Sequence, residues 1–273
     1  MLGKILNRSL KICGGRISPT IFFSRRHRVA AFTHQGYREE NQDGLLFFPQ
    51  KQRVTLAVAD GLGGAPAGEI ASQIALETIE ASLNENYSLA DAFDWANSKI
   101  RGLSLMNPYC RGMGTTIVAA EIKEKSAKIY NCGDSRAFLI DARSRISLLT
   151  PDDSTAFVCF QRKNFPVSFP HFEPEEYYEY SRAFKGVDFL TNYLGNLEAP
   201  IHTLDLPLIE GDRILLCSDG LYKAISYQDF AGTLRQRKSL PQIVKELFER
   251  AYRTMQENEA GDNLTIMLHE HQS

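Results

Sequence analysis

Short apolar runs, broken by turn residues, dominate the chain. Residues 29–33, 45–48 and 54–59 are such runs, the last two separated by Pro49-Gln50-Lys51-Gln52, and they predict strands. After the break Asp60-Gly61-Leu62-Gly63-Gly64, Ile70, Ile74, Leu76 and Ile79 recur at mostly helical spacing and predict a helix over 67–80. Leu89, Phe93, Ala96 and Ile100 extend the same logic to 88–105. Strands are expected again at 115–122, 126–131 and 136–140, with Glu124-Lys125 and Gly133-Asp134-Ser135 as the turns between them. Residues 155–184, rich in Pro, Tyr and Glu, read as a loop-rich insert or flap. The pattern closes with a strand at 213–217, a helix at 240–255 and a strand at 264–269. Strands outnumber helices and do not alternate with them one for one, which favours a layered α+β fold over a doubly wound sheet.

Length and charge sharpen this picture. The chain has 273 residues, enough for one large domain with a sizeable core. The formal net charge of −2 hides an asymmetry. Residues 1–28 carry seven Lys/Arg (Lys4, Arg8, Lys11, Arg16, Arg25, Arg26, Arg28) and no acid. Removing those seven leaves 24 basic residues against 33 acidic ones, a body of about −9. An acidic body excludes the broad basic face that nucleic-acid binding needs. Residues 1–28 read as a basic extension without fixed structure, or as a transit peptide or a basic arm for a membrane surface or partner. No apolar stretch is long enough for a membrane span. The five scattered cysteines form no Cys-x-x-Cys pair, so neither a disulfide framework nor a structural zinc site is expected. Cys132 and Cys217 sit in apolar runs and read as small core residues.

The chemistry lies in where the acids fall. Asp43 precedes a strand. Asp60 and Asp219 each close a very apolar strand and are followed by glycine. Asp134 occupies a turn between strands, and Asp262 lies between Gly261 and Asn263 just before the last strand. Strand ends gather at one edge of a layered fold, so these carboxylates can converge. Packed together they repel and their pKa values rise, a penalty that divalent cations remove. Oxygen ligands without histidine suit Mg²⁺ or Mn²⁺ better than zinc. Each element taken alone has a plainer reading: an Asp-Gly at a strand end is usually a turn, Arg38 alone a solvated charge. Ser218 as a nucleophile lacks a hydrolase-like histidine. Gly61-Leu62-Gly63-Gly64 lacks the order of a dinucleotide loop.

Taken in order, six runs resemble the metal-dependent Ser/Thr protein phosphatases of the PPM or PP2C family, bacterial branch. They are 36–43 (Gly-Tyr-Arg-Glu-Glu-Asn-Gln-Asp), 58–64 (Val-Ala-Asp-Gly-Leu-Gly-Gly), 112–116 (Gly-Met-Gly-Thr-Thr), 131–136 (Asn-Cys-Gly-Asp-Ser-Arg), 217–221 (Cys-Ser-Asp-Gly-Leu) and 261–265 (Gly-Asp-Asn-Leu-Thr). The resemblance implies a four-layer α-β-β-α sandwich, two central antiparallel sheets flanked by helices, over residues 29–273. It implies Mn²⁺ or Mg²⁺, two core ions and, as in many relatives, a third. Asp60 would bridge the two core metals, Gly61 would offer its carbonyl, and Asp219 and Asp262 would complete the pair. Asp43 would hold the cluster through water or directly, and Asp134 with Asp219 would take the third ion. Arg38 would grip the phosphoryl group, with Thr115 and Thr116 supporting the loops. Arg38, Asp60 and Asp219 are therefore the expected catalytic residues. Two metals ~4 Å apart can share a water, lower its pKa and direct it at phosphorus, with no phospho-enzyme.

The same resemblance implies phosphoserine and phosphothreonine proteins as substrates, a cognate Ser/Thr kinase system, a monomer, and a cytoplasmic signalling off-switch. Three departures stand out. Gln42 replaces a glutamate of many eukaryotic relatives, Leu62 replaces a histidine, and the region at 155–185 follows the family flap poorly. A binding-only descendant would typically lack Asp60, Asp219 or Asp262, and none is missing. A small phosphate ester is the alternative substrate class, favoured by a closed pocket under the flap.

Overall fold

The computed structural model describes residues 10–13, 20–24, 28–62, 67–163, 174–184 and 187–272. In chain order its strands and helices are β1 (Leu10–Cys13), β2 (Thr20–Ser24), β3 (Val29–His34), β4 (Asp43–Pro49), β5 (Arg53–Gly61), α1 (Gly68–Asn84), α2 (Leu89–Met106), β6 (Thr115–Lys123), β7 (Ser126–Cys132), β8 (Arg136–Ile140), β9 (Ile146–Leu148), α3 (Thr155–Lys163), α4 (Pro174–Arg182), β10 (His202–Pro207), β11 (Arg213–Cys217), α5 (Asp219–Ala224), α6 (Tyr227–Leu234), α7 (Leu240–Asn258) and β12 (Leu264–Glu270). They build two six-stranded sheets in the orders β1-β4-β5-β6-β7-β10 and β2-β3-β12-β11-β8-β9. Every pairing between these strands is antiparallel.

Alternation along the strands makes the four layers. In β5, Val54, Leu56 and Val58 enter the core between the sheets, while Ala57 and Ala59 face α1 and α2. In β11, Ile214 and Leu216 point between the sheets, and Leu215 and Cys217 point to the opposite helical layer of α5, α6 and α7. Both faces are buried, which is why these strands read as continuous apolar runs. The expected α-β-β-α sandwich is thus the fold found. Cys132 and Cys217 are buried in it, and burial pushes both thiols above their ordinary pKa. Cys110, Cys132, Cys159 and Cys217 are free. Among the described residues, no helix is long and apolar enough to cross a membrane.

Two regions differ from the sequence reading. Within residues 1–28, for which the sequence offers an extension without fixed structure, a transit peptide or a basic arm, β1 pairs with β4 and β2 with β3, so each sheet gains one edge strand. Lys11 on β1 reaches Glu77 (3.2 Å) and Glu80 (3.4 Å) on α1. The loop-rich reading of 155–184 is corrected by α3 and α4. Phe157, Phe160, Tyr177 and Tyr178 of these helices are buried in the outer core over the second sheet. The prolines and acids of the stretch masked this apolar face: Pro174 opens α4 rather than breaking it, and the exposed Glu175 and Glu176 sit in its first turn. The remainder of the expected flap, 164–173 and 185–186, lies outside the described residues, as does most of the expected extension.

Candidate metal-binding active site

The topology brings the acids to one end of the sandwich. Asp43 opens β4 and Asp60 lies near the end of β5, and the two are direct cross-strand partners. Like charges directly opposite each other destabilise a sheet. From the second sheet, Asp219 follows the end of β11 and Asp262 precedes β12, its antiparallel neighbour. Asp134 sits in the turn from β7 to β8, where the chain passes from one sheet to the other. The structure therefore brings all five predicted acids to one rim. Gly61, paired with Thr115, and Arg38, in the loop between β3 and β4, lie at the same rim.

A buried polar ladder ties the two sheets together beneath the acids. Asn41 Nδ2 donates to Thr33 Oγ1 (2.9 Å), and the hydroxyls of Thr33 and Thr265 share a hydrogen bond of 2.8 Å. Thr265 N donates to Ser218 Oγ (3.0 Å), and Ser218 Oγ donates to Asp43 Oδ2 (2.7 Å). Ser218, weighed in the sequence as a nucleophile, thus positions an acid. Asn263 does the same for the Arg38 loop. Its Nδ2 donates to the carbonyls of Gln35 and Glu40, both at 2.8 Å, and its Oδ1 accepts from Gln42 N at 2.8 Å. Thr115 Oγ1 donates to Asp60 O (2.9 Å), the supporting role expected of it.

Two glycines allow this close fit. A Cβ on Gly220 would lie 2.0 Å from Asn263 O, and one on Gly36, where φ is +61°, 1.9 Å from Asp262 O. No side chain fits there without moving the loop that carries Asp262.

The electrostatics are those of acids short of counter-charge. Asp43 is only 1% exposed, and burial, with Asp262 and Asp219 adding repulsion, pushes its pKa up to about 7. Burial, then Asp43, Asp219 and Asp262, raise Asp60 well above the ordinary carboxylate value. Asp134 is pushed up to about 7 by burial, against the pull of Lys223. Asp262 is raised by burial and Asp219, and Arg38 opposes this.

Two cations of the chain itself stand among the acids. Arg38 Nη2 meets Asp262 Oδ2 at 2.8 Å, and Lys223 Nζ lies 2.5 Å from Asp219 Oδ2 and 3.6 Å from Asp134 Oδ2. Lys223 escaped the sequence reading because its signal, an Asp-to-Lys spacing of four on one helix, appears only once α5 is recognised.

Among the described residues, no three acidic, histidine or cysteine side chains close tightly enough to hold a metal ion as they stand. The donor set nonetheless fits a hard divalent cation at the main cluster. The side-chain donors are all carboxylate oxygens, and the Oδ1 atoms of Asp43 and Asp219 are buried without a hydrogen-bond partner.

This chemistry has a consequence for stability. Acids with raised folded-state pKa values keep protons that the unfolded chain releases above about pH 4. Their contribution is complete below that pH, falls as pH rises toward about 7, and is lost above it. In chelator, the chain is expected to melt several degrees higher at about pH 5.5 than at about pH 8, with Asp43 and Asp134 both contributing. Scanning calorimetry across that range checks it, and a flat or opposite trend refutes it.

A family model, Protein phosphatase 2C, matches residues 33–269. The serine/threonine phosphatase stp of Listeria welshimeri is 26% identical over 245 residues, spanning 85% of this chain and 90% of that protein. Among solved structures, the serine/threonine phosphatase Stp1 from Staphylococcus aureus superimposes with a TM-score of 0.76 at 25% identity, covering 95% of this chain and 99% of that one. The catalytic domain of the serine/threonine protein phosphatase PstP, in complex with two manganese ions, gives 0.70 at 27% identity, covering 89% and 97%. The chain belongs to the bacterial branch of the protein phosphatase 2C family, the family of Ser/Thr protein phosphatases that its motifs resemble.

Proposed function

We propose that this enzyme removes phosphate from phosphoserine and phosphothreonine in proteins, using two divalent cations held by Asp43, Asp60, Gly61, Asp219 and Asp262. The carrying observation is the convergence of these acids from both sheets on one rim, beside Arg38, in a chain of this family. The manganese-bound PstP domain supports Mn²⁺ or Mg²⁺ as the ions. When bound, such ions supply positive charge at the phosphoryl oxygens and acidify a water to serve as nucleophile.

The chain's own residues divide the remaining work. Asp60 faces Asp43 across the sheet, and the two carboxylates would help hold the ions. Asp43 is fixed by Ser218 from below and Asp262 by the Asn263 turn. Arg38 is half-exposed and can swing from Asp262 to a phosphoryl group, where a guanidinium offers paired donors. Ser218 is not set up as a nucleophile: it is fully buried and its hydroxyl proton is committed to Asp43.

Two cavities of about 870 and 1080 Å³ lie away from the acids. The phosphoprotein reading is supported by the Ser/Thr phosphatases that the chain resembles. A monomeric cytoplasmic enzyme that reverses a Ser/Thr kinase completes the proposal.

The test is phosphate release from phosphoserine, phosphothreonine and phosphotyrosine peptides with Mn²⁺, Mg²⁺ or EDTA. Release from the first two that EDTA abolishes is expected. Arg38→Ala is expected to raise KM about tenfold or more while leaving Mn²⁺ affinity within about twofold. Release that persists in EDTA, or none with either metal bound, would overturn the reading.

A further inference from the structure

Lys223 stands where the family resemblance would put a third divalent ion. That ion would lie between Asp134 and Asp219, and the residues found there do not fit it. Lys223 Nζ is 2.5 Å from Asp219 Oδ2 and 3.6 Å from Asp134 Oδ2. Tyr222 OH lies within 3.2 Å of Asp134 Oδ2. The Oδ2 atom of each acid therefore already faces a donor. We propose that the Lys223 ammonium is the permanent counter-ion of Asp134 and Asp219, so that this enzyme binds two divalent cations where a third would otherwise be taken.

Three features support the assignment. First, Asp219 and Lys223 are four residues apart on α5, so the ammonium is delivered by the helix itself, without the entropic cost of capturing a free ion. Second, α5 is anchored from both sides. Tyr222 is buried beside Lys223, its ring stacks on the Arg136 guanidinium at 3.6 Å, and Leu221 is buried in the outer core. Third, Asp219 divides its oxygens: Oδ2 takes Lys223, while Oδ1 is buried and unpartnered, available to the main pair. A divalent ion beside Asp134 would meet the ammonium as a like charge at short range. The Oδ2 atoms of Asp134 and Asp219 thus have a counter-charge that does not depend on a third metal ion.

The proposal rests on the two-ion reading above, and counting ions separates the two. Mn²⁺ is titrated into the 273-residue chain, and bound ions are counted by calorimetry and by loss of the free-ion electron paramagnetic resonance signal. Two ions are expected for the native chain and for Lys223→Arg. Lys223→Ala, its fold checked by circular dichroism, is expected to bind a third ion more weakly. Adding Asp134→Asn to Lys223→Ala is expected to return the count to two. Three ions in the native chain, or still two in folded Lys223→Ala, would overturn the role of Lys223 and leave the two-ion reading standing. No bound ion in the native chain would overturn both.

Discussion

Asp60→Asn is expected to lower kcat by at least ~10³-fold, roughly 4 kcal/mol of transition-state stabilisation, while the chain stays folded. The position explains the size of the effect. Asp60 closes a core strand, its backbone carbonyl is held by Thr115 Oγ1, and its carboxylate faces Asp43 across the sheet. An asparagine keeps the shape and loses the charge that binds cations. The same change has a second effect of opposite sign. In the absence of metal the Asp60 carboxylate is strained by burial and by four neighbouring acids. Neutralising it relieves that strain, so metal-free Asp60→Asn is expected to melt at or above the native temperature. Added Mn²⁺ should then raise its Tm less than it raises that of the native chain. The pairing of lost activity with unlost stability is the mark of a site that trades one for the other. Turnover near the native level, or an unfolded variant, would contradict it.

The largest loss of stability is expected from Arg136→Ala, about 3–5 kcal/mol by urea denaturation. Arg136 on β8 has no measurable exposure, and Asp152, its partner at the start of the insert, is 2% exposed at the side chain. The guanidinium donates through Nη2 to Asp152 Oδ2 (2.6 Å) and to Ser181 Oγ on α4 (2.8 Å), and Tyr177 OH donates to the same Asp152 oxygen at 2.6 Å. Truncating Arg136 leaves a carboxylate buried without its cation, and that uncompensated charge is what costs most. The double variant Arg136→Met with Asp152→Leu removes both charges and is expected to recover much of the loss. A drop below ~1 kcal/mol for the single variant, or no recovery in the double, would show that this pair does not anchor α4 to the second sheet.

How much of this was legible depends on the kind of signal. Strands buried on both faces, such as β5 and β11, announce themselves as apolar runs, and the 213–217 strand falls where the sequence put it. The edge strand β10 alternates between half-buried and exposed positions and carries His202, Asp205 and Pro207, so its polar face conceals it. The short helices α5 and α6 give too few turns for periodicity to register. At the rim, the five acids were readable from their places at turns and beside glycines. Asn263, which ties the Arg38 loop to the Asp262 turn, and Lys223, which answers two acids from one helix, were not. The Asn263 contacts and the Lys223–Asp134 contact join segments far apart in sequence, and the local Asp219-to-Lys223 spacing registers only once α5 is recognised.

The two strands at the start of the chain bear on how this protein can be cut. β1 and β2 are the outermost strands on the same side of the two sheets, pairing with β4 and β3. A fragment starting at residue 29 would keep Arg38 and every acid of the rim. It would also bare the backbone N–H and C=O rows of β4 and β3, each a template for strand addition by another molecule. Two sticky edges on one molecule permit growth without closure, toward filaments rather than a finite dimer. The strands within this basic segment thus cover two sheet edges that would otherwise be bare.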